Sequence, residues 1–230
     1  MTKQLFITGT DTDIGKTFIT AVLSKIASSL NLTNIVMKPI QTGIEQYEED
    51  LNTVYKFAPQ TIKLSNEIIS PYRFKLPASP HFAAEKENVM INVKTILDAK
   101  AQALSLNPDL LLIEGAGGVM VPIVKNYLMV DLISEMKIPA IVVTSTKLGT
   151  INHTLLTIDK LQKSNIPIAA VIFTGLSSTP TEIELNSIET VKNLSNINNI
   201  YSVPFIENLE EANIVTTIPE YENFKNLITT

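Results

Sequence analysis

The sequence contains no cysteine. Disulfides, thiolate zinc sites, iron–sulfur clusters and a cysteine nucleophile are thereby excluded. Only two histidines occur, His81 and His153, which excludes a histidine-rich metal site. Positive charge is also short: 18 Lys and Arg stand against 23 Asp and Glu, a net charge of −5. No strongly basic face is expected, so nucleic acid is a poor fit as a partner. No apolar run approaches the ~18 residues that a membrane span needs. The opening stretch MTKQLFITGTDTDIGKT lacks the apolar core of a signal peptide. These absences read as a cytoplasmic protein that engages neither membrane nor nucleic acid. Hydrophobic residues make up 45% of the 230, enough to bury the core of one α/β domain spanning 1–230.

Glycine is scarce as well, with eight residues, about half the usual ~7%. They are Gly9, Gly15, Gly43, Gly115, Gly117, Gly118, Gly149 and Gly175, and each follows shortly on a predicted strand. Those strands are short, β-branched-rich runs at 5–7, 35–37, 110–113, 141–143, 169–173 and 200–203. They lack polar alternation, as strands buried on both faces of a parallel sheet do. Helical spacing occupies 15–30, 89–106, 151–164 and 182–194. Strand alternating with helix predicts a mostly parallel sheet with helices on both faces. In such sheets ligands bind beyond the carboxyl ends of the strands, and glycine there lets backbone approach a ligand.

Chemistry is concentrated in these strand ends. Gly9-Thr10-Asp11-Thr12-Asp13-Ile14-Gly15-Lys16-Thr17 joins a strand to a helix. It is nearly a Walker A loop, although the strict pattern has its first glycine where Thr10 stands. Backbone N–H groups at the helix start would cradle phosphates, Lys16 would reach their oxygens, and the Thr17 hydroxyl would ligate Mg²⁺. Asp109 to Gly118 reads as an apolar strand ending on Glu114, in the manner of a Walker B carboxylate. The alternative is a surface Glu closing a strand. Lys38-Pro39-Ile40-Gln41-Thr42-Gly43 ends the second strand. A lone Lys there is ordinarily a solvated edge charge; framed by Pro39 and Gly43 it would instead hold an anion near the γ-phosphate. One member of the acidic run Glu45, Glu48, Glu49, Asp50 would complete a metal site, and spacing alone does not choose it. Lys147 to His153 is either an ordinary glycine turn capped by Thr150 or a helix start that binds a carboxylate. Pro71, Pro77 and Pro80 mark an irregular, semi-rigid loop near the site that carries His81, while His153 reads as structural.

Taken in order, GTDTDIGKT, KPIQTG, SPHFAA, LIEGAGG and KLGTINH resemble the dethiobiotin synthetase family, whose fold is P-loop NTPase-like. The match is specific over 8–153 and weaker over 175–230, where Pro204-Phe205 is the main correspondence. The resemblance implies a homodimer that uses ATP and Mg²⁺ to close the ureido ring of dethiobiotin from 7,8-diaminononanoate and CO₂ or bicarbonate. A substrate carbamate would attack the γ-phosphate to give a carbamic–phosphoric anhydride. Lys16, Lys38 and Thr12 would be catalytic, with Thr42 beside the carbamate. Thr17, Asp50 and Glu114 would hold Mg²⁺. Asp13, Ile14, Gly15, Phe18, Gly115, Ala116, Gly117, Thr174, Gly175, Pro204, Phe205, Ile206 and Glu211 would complete the nucleotide site. Gly149, Thr150, Ile151 and Asn152 would reach the substrate carboxylate across the dimer interface.

Two departures accompany the resemblance. Asp13 stands where the family has Glu, and Thr174 where an adenine-reading Asn is often found. The rival fold relatives are ParA/MinD-like switch ATPases and cobyrinate-amidating enzymes. The former carry a signature Lys where this chain has Asp11, and the latter usually carry a glutaminase Cys, which is missing here.

Overall fold

The computed structural model describes residues 1–45, 50–204, 206 and 213–229. Its elements run β1 (Lys3–Gly9), α1 (Lys16–Ser29), β2 (Asn34–Met37), β3 (Ile40–Thr42), α2 (Asp50–Phe57), α3 (Asn66–Ile69) and β4 (Tyr72–Phe74). Next come α4 (Pro80–Lys86), α5 (Val93–Ser105), β5 (Leu110–Gly118), β6 (Pro122–Val124), β7 (Tyr127–Leu128) and α6 (Met129–Met136). The chain continues with β8 (Ala140–Ser145), α7 (Thr150–Lys163), β9 (Ile168–Leu176) and α8 (Glu182–Ser195). It ends with β10 (Ile200–Pro204), α9 (Ile214–Thr217) and α10 (Tyr221–Thr229).

The six strands expected from the apolar runs form one sheet in the order β10-β9-β8-β1-β5-β2. Every pairing in it is parallel. Consecutive residues of the central strands are buried, including Leu5 to Ile7, Leu110 to Ile113 and Ala140 to Val143. Burial of both alternating sets means both sheet faces are covered, which explains why these strands read as unbroken apolar runs. Helix α1 buries Ile19, Val22, Leu23 and Ile26, a stripe at helical spacing. Strand order reverses around β1, whose neighbours are β5 and β8, and this is where an open α/β sheet leaves a crevice.

Two small pairings supplement the main sheet: parallel β3 with β4, and the β6–β7 hairpin. Elements of two or three residues leave no readable period in sequence. One expectation is corrected here. The strand does not end at Glu114 but continues through Gly118. Pairing with β1 runs to Ile7↔Glu114, shifts register, and resumes at Gly9↔Gly118. Glycine suits that return, because a Cβ on Gly118 would make a tight 3.1 Å contact with the Gly9 carbonyl oxygen. The glycines behind Glu114 thus draw β5 up to the loop after β1, and they belong to a strand, not a loop.

Candidate active site

The loop between β1 and α1 is shaped by its backbone. Asp13 has φ 53°, and Gly15, at the N-cap of α1, has φ 96°. The second value lies in the left-handed region that glycine adopts readily. No side chain caps α1, so the N–H groups of its first turn remain available to an anion. Lys16 Nζ bends back across the loop and donates to the Asp11 carbonyl at 2.7 Å. Burial brings the Lys16 ammonium down to about 8; the nearby Glu114 carboxylate opposes that fall and the Lys38 charge adds to it.

Three elements converge on the first turn of α1. Thr17 Oγ1 lies 2.8 Å from Asp50 Oδ1, at the start of α2, and 2.8 Å from Glu114 Oε1, on β5. Thr20 Oγ1, one turn further along α1, donates to Glu114 Oε2 at 2.9 Å. Lys38, just past β2, donates through Nζ to Glu114 Oε1 at 2.9 Å and also pairs with Asp50. Glu114 is 1% exposed and Lys38 7%. Burial alone would raise the Glu114 carboxyl. The Lys38 ammonium, hydrogen bonds from Lys38 and Thr17, and Lys16 together outweigh it and hold Glu114 below the usual range. Lys38 is therefore no solvated edge charge, since its ammonium is buried between two carboxylates.

A cavity of about 700 Å³ opens above this cluster. Thr12, Asp13, Gly15, Lys16, Thr17, Lys38, Thr42, Asp50, Glu114, Ala116 and Gly117 all line it. The Pro77–Pro80 segment, expected near the site from its prolines, lines the wall, and Gln41, Thr53 and Val121, which sequence reasoning missed, complete it. Sequence reasoning also missed Thr20, although three-residue spacing from Thr17 puts both hydroxyls on one helix face. Pro80 opens helix α4, so the proline-rich stretch is a helix start brought to the cavity mouth. His81 sits outside that cavity, with Nδ1 3.1 Å from Ser79 Oγ.

The other predicted residues that the structure describes do not line the cavity. Ile14 and Phe18 pack against the core, as does Ile206, while Gly115 is buried against Phe6. Thr174 and Gly175 lie in β9, and Pro204 ends β10. Phe205 and Glu211 are outside the described residues, and so are Glu48 and Glu49. Gly149 is the N-cap of α7, with φ 96°, and Thr150 is the first helical residue, not the cap. Thr150 turns inward to Thr144 Oγ1 at 3.0 Å. Ile151 is partly buried, Asn152 is exposed, and Leu148 just before them is fully exposed.

The donors around Thr17 suit Mg²⁺. Among the described residues, no three His, Asp or Glu side chains form a closed metal cage. Thr17, Asp50 and Glu114 instead offer one hydroxyl and two carboxylates at the helix start. Mg²⁺ takes one or two carboxylates and fills its remaining positions with water and phosphate oxygens.

A strand–loop–helix with a buried lysine, a hydroxyl, two carboxylates and a second lysine at the sheet's crevice defines a P-loop NTPase-like protein. Solved structures share that fold. A putative plasmid partition protein from Borrelia burgdorferi aligns with TM-score 0.59 at 13% identity, covering 99% of this chain and 98% of that one. A ParA family ATPase from Chlorobium tepidum aligns at 0.56 and 10%, covering 100% and 98%. A family model described as an AAA domain matches residues 3–213. Sequence relatives are more specific. A protein of Nitrosopumilus maritimus named "ATP-dependent dethiobiotin synthetase BioD" is 36% identical, over 98% of this chain and 99% of its own. Proteins of the same name from Bacillus subtilis strain 168 and Methanococcus vannielii are 32% and 39% identical, over 98% and 83% of this chain and 97% and 90% of their own. The chain belongs to the dethiobiotin synthetase family, the ATP-dependent ligases of biotin biosynthesis. Its likeness to ParA-type ATPases is one of fold alone.

Proposed function

We propose that this chain closes the ureido ring of dethiobiotin from 7,8-diaminononanoate, CO₂ and ATP, through a carbamate and a carbamic–phosphoric anhydride. The observation that carries this reading is the convergence of Lys16 and Lys38 with Thr12, Thr17, Thr42, Asp50 and Glu114 on one cavity. The chemistry must bring a carbamate and a triphosphate together, two anions that repel. Fixed cations and oriented N–H dipoles counter that repulsion, and little proton transfer is required. The uncapped N–H groups of α1 and Lys16 would hold the phosphates. Lys38 would neutralise carbamate and γ-phosphate as they meet, exchanging its carboxylate partners for the incoming anions. The Thr12 and Thr42 hydroxyls would donate to the carbamate or the phosphate. Thr17, Asp50 and Glu114 would hold Mg²⁺, which screens the phosphate oxygens when bound.

The Gly149–Asn152 turn does not line the cavity, and Leu148 beside it is fully exposed. This arrangement supports a homodimer in which the turn reads the substrate carboxylate in the partner's site. Among the described residues no helix is long and apolar enough to cross a membrane.

Mass spectrometry of a reaction with the diamine, ¹⁸O-bicarbonate, ATP and Mg²⁺ tests the reading. Dethiobiotin should form, and the released phosphate should carry ¹⁸O, because the bridging oxygen of the anhydride comes from the carbamate. Product without label in the phosphate would overturn the anhydride route while leaving the overall reaction in place. Absence of product would overturn the reaction itself.

A further inference from the structure

The residue that stands where a base-reading Asn is often found is engaged elsewhere. Thr174 Oγ1, on β9, lies 2.7 Å from the Ile14 carbonyl and 3.1 Å from the Thr144 carbonyl. A hydroxyl has one proton to donate, and the shorter contact is with the phosphate loop. The same side chain also backs the next residue: its Cβ, Oγ1 and Cγ2 lie 3.1–3.3 Å from where a Cβ on Gly15 would be. In a planar trans peptide the C=O and the following N–H point in opposite directions. Holding the Ile14 carbonyl against β9 therefore turns the Gly15 N–H away from β9, and Gly15 lines the cavity.

The anchor on β8 is itself fixed. Thr144 Oγ1 is 3.2 Å from Thr10 Oγ1, 3.0 Å from Thr150 Oγ1 and 2.9 Å from Thr154 Oγ1. One donor and two acceptor sites are thereby filled, which leaves Thr144 little freedom. Thr174 thus ties the ends of β8 and β9 to the phosphate loop, whose helix has no side-chain cap.

We infer that Thr174 is a positioning residue for the phosphate loop: its hydroxyl pins the Ile14 carbonyl and so presets the Gly15 N–H for a nucleotide phosphate, whatever the base. The inference rests on reading the loop as a nucleotide site.

Titration calorimetry with ADP, followed by steady-state kinetics, tests it. Thr174→Val keeps the shape and removes the hydroxyl. ADP binding should weaken roughly 5-fold, on the scale of one neutral hydrogen bond. KM for ATP should rise in step, while kcat at saturating ATP stays within about 2-fold. GDP and CDP should lose the same factor. Thr174→Ser keeps the hydroxyl and loses the methyl, and should bind ADP within about 2-fold of the parent. Equal loss in Val and Ser variants would overturn the proposal in favour of simple packing. A changed ratio of ADP to GDP affinity in Thr174→Val would overturn it in favour of base reading. Should the Val variant not fold, Thr174→Ala against Thr174→Ser isolates the hydroxyl: loss confined to Ala supports the assignment, and equal loss overturns it. No ADP binding by the parent chain would overturn the nucleotide reading of the loop, and the proposal with it.

Discussion

Glu114 and Glu184 are both scarcely exposed carboxylates held below their usual range, and they do opposite things. Glu114 sits on β5 among ammonium groups and hydroxyls beneath the cavity. Glu184 sits in the first turn of α8, where neutral donors satisfy it: the N–H and hydroxyl groups of Ser177 and Thr181 and the hydroxyl of Thr146. A shifted carboxyl therefore does not by itself mark a functional site. The kind of partner separates the two. Backbone donors are fixed by the fold and have no second task. An ammonium on a flexible stem can leave for another anion, and the carboxylate it leaves can take a metal ion.

The sharpest way to break this contrast is to remove the mobile cation. Lys38→Gln should cut turnover by more than ~10²-fold, the scale for one electrostatic stabiliser of a transition state. It should also lower thermal stability, by up to about 3 kcal/mol, because Glu114 loses its nearest charge partner in a buried site. Near-parent kcat in the purified variant would mean that Lys38 only neutralises carboxylates. Glu114→Gln keeps the side-chain shape and removes the charge. The Mg²⁺ concentration for half-maximal activity should rise by about 10-fold or more, the scale on which metal sites answer to altered ligation. An unchanged Mg²⁺ titration would reduce Glu114 to a partner for Lys38.

Much of this contrast was legible in sequence, unevenly. The six sheet strands were readable because each is buried on both faces and so is apolar without alternation. The Thr17–Glu114 pairing followed from a helix start and a strand end that an α/β sheet brings to one edge. The burial of Lys38 was not readable, since Pro39 and Gly43 say that a turn occurs but not that α2 closes over it with Asp50. The extension of β5 was hidden because Gly115–Gly118 reads as a loop by composition, and only the partner strand's register keeps it in the sheet. Glu184 went unremarked, although Thr181 three residues before it is a capping-box signature. Thr174 was legible as a departure from a pattern, while its bond to Ile14, 160 residues away, was not.

A smaller effect concerns where the site is completed. If the Gly149–Asn152 turn serves the partner's cavity, a Lys16→Ala chain and a chain altered at Thr150 and Asn152 should complement each other. Both are expected to be inactive alone. Random exchange makes half the dimers hybrid, each with one intact site, so about a quarter of parent activity should return. No recovery, with subunit exchange demonstrated by native mass spectrometry, would put the turn in its own chain's site.

The least effect on activity, and the cleanest on stability, belongs to Glu184. Its carboxyl is held down at about 2, against an ordinary 4.5, chiefly by backbone N–H donors from Thr181 and Ser177. A carboxyl depressed in the folded state binds fewer protons there than in the unfolded chain between those two values. Its contribution to stability is therefore complete above about pH 4.5 and fades as the pH falls through about 2. Glu184→Gln keeps an acceptor oxygen but loses the charge that strengthens the bonds and complements the positive end of α8. The variant should melt below the parent at pH 7, and the two melting curves should converge as the pH drops from 4.5 towards 2. Its kcat and Mg²⁺ dependence should match the parent's, since Glu184 does not line the cavity. A melting difference that stays constant across that pH range would show that the amide fails for reasons of shape. A shifted Mg²⁺ titration would erase the distinction between the two carboxylates.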